Sequence, residues 1–234
     1  MPRISPTLPL VVPALLALLS VAGGAQAQTI TSPYSFIETR HEVTVFGGVA
    51  GENRGTIELG PGGGPLIGVR YGLALTGTAG IEAALQYIAA DRNVYDPTGD
   101  GEEPEFLELV DHHIALLEAR GRFSLTGGRT WHGLAPYVFG GGGLAMSLSG
   151  STDAEEEFGA GSKFTFGPTL TGTVGGGIRW HFGERLGAGL EGSLNLWKIG
   201  NPAAFRTFEE SLGPVPEDEW TGWSAVTVGV SYRF

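Results

Sequence analysis

The stretch from residue 224 to residue 234, SAVTVGVSYRF, alternates between apolar side chains and small or polar ones. Five apolar side chains share one parity: Val226, Val228, Val230, Tyr232 and Phe234. The other parity carries Thr, Gly, Ser and Arg. Because successive side chains of a strand point to opposite faces, this period of two predicts a β-strand with one apolar face.

The same alternation recurs along the chain and predicts eight strands. They lie at about 41–50, 66–75, 79–91, 107–125, 135–149, 164–182, 187–199 and 221–234. Each is long enough to cross a bilayer as a tilted strand, which takes about 9–11 residues. Long connections alternate with short ones, as in barrels with long loops on one side of a membrane. The predicted fold is all-β, an eight-stranded antiparallel transmembrane β-barrel.

The N-terminal residues read as a targeting segment. Arg3 provides a positive start, residues 8–21 are mostly apolar, and Ala25-Gln26-Ala27 is a small-x-small cleavage site. We therefore expect a signal peptide at 1–27, a periplasmic N-terminal segment at 28–40, and the barrel domain at 41–234.

Composition narrows the class further. The 40 glycines among 234 residues show no G-X-Y period, which excludes collagen, and the absence of cysteine excludes a disulfide scaffold. The alternative that stays open is a soluble β-barrel, which would turn its apolar face inward. Aromatic side chains near the strand ends favour the membrane barrel, because they fit interfacial girdles. At the short-turn end these are Trp180, Phe182, Tyr232 and Phe234, and at the loop end they are Phe164, Phe166, Trp220 and Trp223.

These features together resemble the small eight-stranded outer-membrane β-barrel superfamily, which includes OmpA-like, OmpX-like and opacity-type barrels. The resemblance rests on the Ala25-Gln26-Ala27 site, the eight alternating strands, the glycine-rich stretch 137–144 and the Tyr232-Arg233-Phe234 end. It implies residence in the outer membrane among lipid and lipopolysaccharide, as a monomer. It also implies that Tyr232 and Phe234 form a signal for the barrel-assembly machinery. No peptidoglycan-binding domain is expected.

Nine charged residues occur on the polar parity of the predicted strands. They are Glu42, Arg70, Glu82, Glu118, Arg120, Arg122, Arg179, Glu191 and Arg233. If this parity faces the lumen, charges removed from water must be paired. The near balance of signs predicts a structural ion-pair network that plugs the interior. A narrow channel for small solutes is the alternative.

The long loops are strongly acidic. They hold 18 of the 25 acidic residues and only two basic ones, and the whole chain carries a formal net charge of −11. Together these loops would form an acidic rim at one end of the barrel. An acidic rim disfavours nucleic acid as a partner and is compatible with divalent cations or basic surfaces.

No catalytic or cofactor motif emerges. His113 lies on the lipid-facing parity of a predicted strand without an adjacent His-x-Ser pattern, so an outer-membrane lipid-modifying enzyme ranks last. Gly140–Gly143 is followed by no Lys-Ser/Thr, so it is not a phosphate loop. The sequence predicts no enzyme activity, no cofactor and no metal site. It predicts a structural or surface-interaction role through the external loops.

Overall fold

The computed structural model describes residues 32–98, 104–159, 161–208 and 214–234. These form ten strands: β1 Tyr34–Phe36, β2 His41–Ala50, β3 Gly64–Ala74, β4 Ala79–Asp96, β5 Glu105–Ser124, β6 Arg129–Trp131, β7 Leu134–Ser147, β8 Thr169–Phe182, β9 Leu186–Gly200 and β10 Asp218–Arg233. A short helix, α1, spans Asp153–Glu157, and a 3₁₀ helix spans Ala203–Phe208.

Helices long and apolar enough to span a membrane do not occur among the described residues.

Eight of the strands close into an antiparallel barrel, which confirms the predicted fold. Each strand from β2 to β5 and from β7 to β10 pairs with its neighbour, and β10 returns to pair with β2 over Ala225–Arg233. The remaining two strands, β1 and β6, pair with each other at the short-turn end. Closure leaves no unpaired edge among the eight strands.

The largest differences between the observed and the predicted strand bounds occur at two places. The strand β4 ends at Asp96 rather than at residue 91, and β5 begins at Glu105 rather than at residue 107. The connection between them is therefore limited to residues 97–104. The strand β8 begins at Thr169 rather than at residue 164. Phe164 and Phe166 share the parity of β8 but precede the strand, and both are buried.

The outer surface of the barrel is apolar on every strand. Representative outward side chains are 54–65% exposed: Val45, Ile67, Leu85, Leu117, Val174, Leu194 and Val228. Such a continuous apolar belt is unfavourable in water and is accommodated by the hydrocarbon of a bilayer.

The predicted girdle at the loop end is partly wrong. Trp220 is exposed as expected, but Phe164, Phe166 and Trp223 are buried in the interior. Trp223 lies on the inward parity of β10, and its ring packs against Trp197 at 4.9 Å between centroids. At the short-turn end, the four predicted aromatic side chains are all exposed.

The interior has two halves. The half near the short turns is lined by charged side chains, whereas the half near the long loops is filled by an apolar cluster. Loop residues Ile57, Leu59, Phe205 and Val215 belong to this cluster and pack against inward strand residues such as Leu66. The long loops therefore fold into the barrel and contribute to its core.

Candidate functional site

Glu191 on β9 is the centre of the charged half. Its carboxylate accepts paired hydrogen bonds from the Arg70 guanidinium, both at 2.9 Å, and from the Arg120 guanidinium, both at 2.7 Å. The Tyr137 hydroxyl donates a fifth hydrogen bond at 2.7 Å. Paired guanidinium–carboxylate contacts fix both distance and orientation, so this site links side chains from four strands of the barrel.

A second carboxylate extends the network toward the short turns. Glu82 accepts hydrogen bonds from Arg120 at 2.8 Å and from Arg179 at 2.6 Å, and it lies 3.1 Å from Arg122. Glu42 lies 3.3 Å from Arg179 and 3.9 Å from Arg122. The arginines thus bridge successive carboxylates across the lumen.

Aromatic rings cover the guanidinium groups. The Arg120 guanidinium lies 3.8 Å from the Phe139 ring centroid, and Arg70 lies 4.7 Å from that of Phe46. Arg179 lies 4.7 Å from the Tyr137 centroid. These cation–π contacts add to the ion pairs where water is excluded.

Glycines on the inward face of β8 make room for these rings. A Cβ atom on Gly175 would come within 2.4 Å of the Phe139 ring, and one on Gly177 within 2.8 Å of the Tyr137 hydroxyl. The glycine-rich sequence of β8 therefore permits large side chains of β7 to enter the lumen.

Among the residues that the structure describes, ion pairs join seven of the nine predicted lumen charges. The exceptions are Glu118, which accepts a hydrogen bond from Gln86, and Arg233, which donates to the Gly183 carbonyl at 3.2 Å. Sequence reasoning missed Tyr137, Phe46 and Phe139, although the alternation along their strands places each of them on the inward parity.

A separate buried ion pair lies in the apolar half. Arg92 of β4 donates to Glu155 of α1 at 2.5 Å, and the side chains are 2% and 5% exposed. Thr152 caps α1 in a capping box with Glu155, and the Phe164 backbone N–H also donates to this carboxylate. Burial tends to raise the pKa of Glu155, but the hydrogen bonds from Arg92 and these backbone groups outweigh it and hold the pKa below its usual value.

The histidines do not form a nucleophile–base pair with a serine in the described part of the chain. The His113 backbone N–H donates to the Ser149 hydroxyl at 2.9 Å, and its ring stacks on Tyr87. His112 points inward and contacts Phe164 and Phe166 edge-on. Within the described ranges, three or more His, Asp or Glu side chains are nowhere grouped to hold a metal ion.

The two residues predicted to signal assembly lie on the outer face. The Phe234 ring stacks on His41 at 5.6 Å, and the backbones of these residues exchange two hydrogen bonds. Tyr232 and Phe234 also stack on each other. Their role in assembly stays a prediction.

Comparison with known proteins finds similarity in structure alone. Neither a family model nor a curated protein matches the chain. The structure is similar to the outer membrane protein OprG from Pseudomonas aeruginosa, with 12% identity over 84% of this chain and 97% of that chain and a TM-score of 0.51. Neisserial surface protein A shares 12% identity over 87% and 98% at a TM-score of 0.48. The N-terminal barrel domain of Pseudomonas aeruginosa OprF shares 16% over 84% and 98% at 0.43. The closed ring of eight strands, its apolar belt and the likeness to OprG lead to one conclusion: the chain has the fold of the small eight-stranded outer-membrane β-barrels.

Proposed function

We propose that this outer-membrane barrel does not conduct solutes and acts as a structural or surface-interaction protein through its long loops. The observation that carries the proposal is the filling of the lumen. An Arg/Glu layer centred on Glu191 occupies one half, and the apolar cluster occupies the other.

The two halves close the lumen by different physical means. Eight strands enclose an interior that side chains can fill completely. In the charged half, four of the five arginines are each paired with two carboxylates. These arginines would have to exchange their bonds for water before an ion could pass. In the apolar half, loop residues such as Phe205 and Val215 would have to leave the core.

The long loops carry exposed acidic side chains that a binding partner would contact. In α1, Asp153, Glu156 and Glu157 are exposed, whereas Glu155 between them is buried against Arg92. The exposed carboxylates support a basic surface or divalent cations as partners, and they oppose direct binding of polyanions. We propose no catalytic role, since the His113 ring contacts Tyr87 rather than a nucleophile.

Planar-bilayer recordings test the closed lumen. Purified wild-type protein is expected to give no stepwise conductance under conditions in which a known porin conducts. Reproducible, ion-selective steps from the wild type would contradict the proposal and favour the narrow channel.

A second experiment tests the loop surface. The triple substitution Asp153→Asn, Glu156→Gln and Glu157→Gln is expected to weaken binding of a lysine-rich peptide at low salt, with little difference at high salt. The matched control is Glu38→Gln with Glu184→Gln, which removes exposed carboxylates near the short turns. Equal binding by wild type and triple variant would show that these loop charges serve solubility only.

A further inference from the structure

One arginine among the nine lumen charges has no carboxylate partner within the described part of the chain. The nine charges comprise five arginines and four glutamates, and Arg70, Arg120, Arg122 and Arg179 each form an ion pair. Arg233 is only 5% exposed, yet none of the described carboxylates lies within ion-pair distance of it. Residues 1–31 contain no Asp or Glu, so the N-terminal residues outside the described part have no carboxylate side chain to offer.

Arg233 lines a cavity of about 70 Å³ at the short-turn mouth. Thr39, Glu42, Arg122, Arg179 and His181 also line it. Among the described residues, three buried atoms of this wall have no hydrogen-bond partner: Thr39 Oγ1, His181 Nδ1 and Arg233 Nε. Each of these groups can donate a hydrogen bond, and Arg233 Nε can only donate.

The segment that precedes the barrel covers this cavity. The Pro33 carbonyl accepts from the His132 N–H at 2.8 Å, the Ile37 N–H donates to Gly128 at 2.9 Å, and the Arg40 carbonyl accepts from Ala74 at 2.8 Å. Residues 33–40 are thus attached to three different parts of the mouth. Thr39 lies between the attachments at Ile37 and Arg40, so its position in the cavity wall is fixed by backbone hydrogen bonds on both sides.

We propose that this cavity binds a phosphate-type oxyanion. Its wall offers unused donors, and the one carboxylate that lines it, Glu42, is already shared by Arg179 and Arg122. An oxyanion accepts hydrogen bonds on all sides and would supply the negative charge that Arg233 lacks. The arginines disfavour a cation, and the volume exceeds the 10–15 Å³ or so that one water molecule needs.

The phosphate group has two possible sources. Short turns face the periplasm in barrels of this class, so the cavity would open toward free phosphate and toward lipid headgroups of the inner leaflet. Both sources present the same oxygens, and the membrane environment of the protein separates them experimentally.

Calorimetric titration of the full chain with inorganic phosphate, in a phosphate-free maltoside detergent, tests the site. We expect saturable binding that Arg233→Gln weakens by about tenfold or more, because a charge-assisted hydrogen bond is lost. Thr39→Val should weaken it less. Arg185→Gln is the matched control, since Arg185 is exposed at the same mouth and does not line the cavity. Folding of each variant is checked by its migration on a gel before and after heating, and Thr39→Val carries the test if Arg233→Gln does not fold.

The titration is then repeated in phospholipid nanodiscs. Binding of equal strength in both environments assigns free phosphate as the ligand, whereas binding in maltoside that disappears in nanodiscs assigns the headgroup. Absence of saturable binding in maltoside overturns the proposal. It is overturned equally if folded Arg233→Gln and Thr39→Val both bind phosphate as the wild type does.

Discussion

At the residue scale, the lumen is organised by a few carboxylates that each serve several arginines. Glu191 binds Arg70, Arg120 and Tyr137, and Glu82 binds Arg120 and Arg179. Removing one partner of such a group leaves a buried charge uncompensated, which costs far more than the net contribution of the intact pair.

Arg120→Ala should lower the free energy of unfolding by about 3–5 kcal/mol, because Glu82 and Glu191 both lose a charged partner. Denaturant titration in detergent micelles measures the change. Arg185→Ala is the control and should fall within about 0.5 kcal/mol of the wild type, since its side chain is exposed. Unchanged stability of Arg120→Ala together with new conductance would mean that the charged half is hydrated.

At the element scale, the connection between β7 and β8 contacts the barrel interior through one buried ion pair and several buried side chains. Arg92 reaches from β4 to Glu155 of α1, and its guanidinium also faces the Phe164 ring at 5.4 Å. Ser162, Phe164 and Phe166 are buried along the same connection. Because α1 has five residues and cannot be stable alone, its position depends on these contacts.

Glu155→Gln should therefore loosen the connection while leaving the barrel closed. Amide hydrogen exchange of residues 152–166 is expected to accelerate by an order of magnitude or more, and that of the barrel strands should not change. Glu156→Gln is the control, since Glu156 is adjacent and exposed. Equal exchange in the two variants would show that the ion pair does not hold the connection.

Acid should have the same effect as this substitution. Because the pKa of Glu155 is held below its usual value, the contribution of this carboxylate is complete above the ordinary carboxyl range and is lost as the pH falls through the lowered pKa. Exchange in 152–166, corrected for the intrinsic pH dependence, should rise on acidification in the wild type. The rise should be much smaller in Glu155→Gln, and a rise of equal size would assign the effect to another group.

At the scale of the whole molecule, the closed ring of eight strands and the apolar belt around it both suit the protein to a bilayer. Every barrel strand is paired on both sides, and the outward face is apolar throughout. Backbone groups of such a ring are satisfied internally, which is the condition for crossing a bilayer.

Closure predicts resistance to detergent denaturation. Unheated protein should migrate faster on a gel in dodecyl sulfate than boiled protein, because a ring without free edges has no strand from which unfolding starts easily. Measuring migration against temperature gives the transition, and Arg120→Ala should lower it. Identical migration of heated and unheated samples would contradict a closed, persistent barrel.

The sequence alone determined the number of barrel strands and which side chains share a face, because alternation with a period of two is a local property that survives folding. It left open whether the apolar face turns outward to lipid or inward, and the closed barrel with its apolar outer belt decided that. The sequence also selected the nine lumen charges, since burial on the inward parity follows from the same pattern. Only the tertiary structure decided which arginine meets which glutamate, because Arg70 and Glu191 lie 121 positions apart and their contact depends on barrel register. It also decided that Phe164, Phe166 and Trp223 turn inward and that the long loops enter the core. Apolar side chains near a strand end can be buried by lipid or by the lumen, and that choice depends on whether the loops fill the space within.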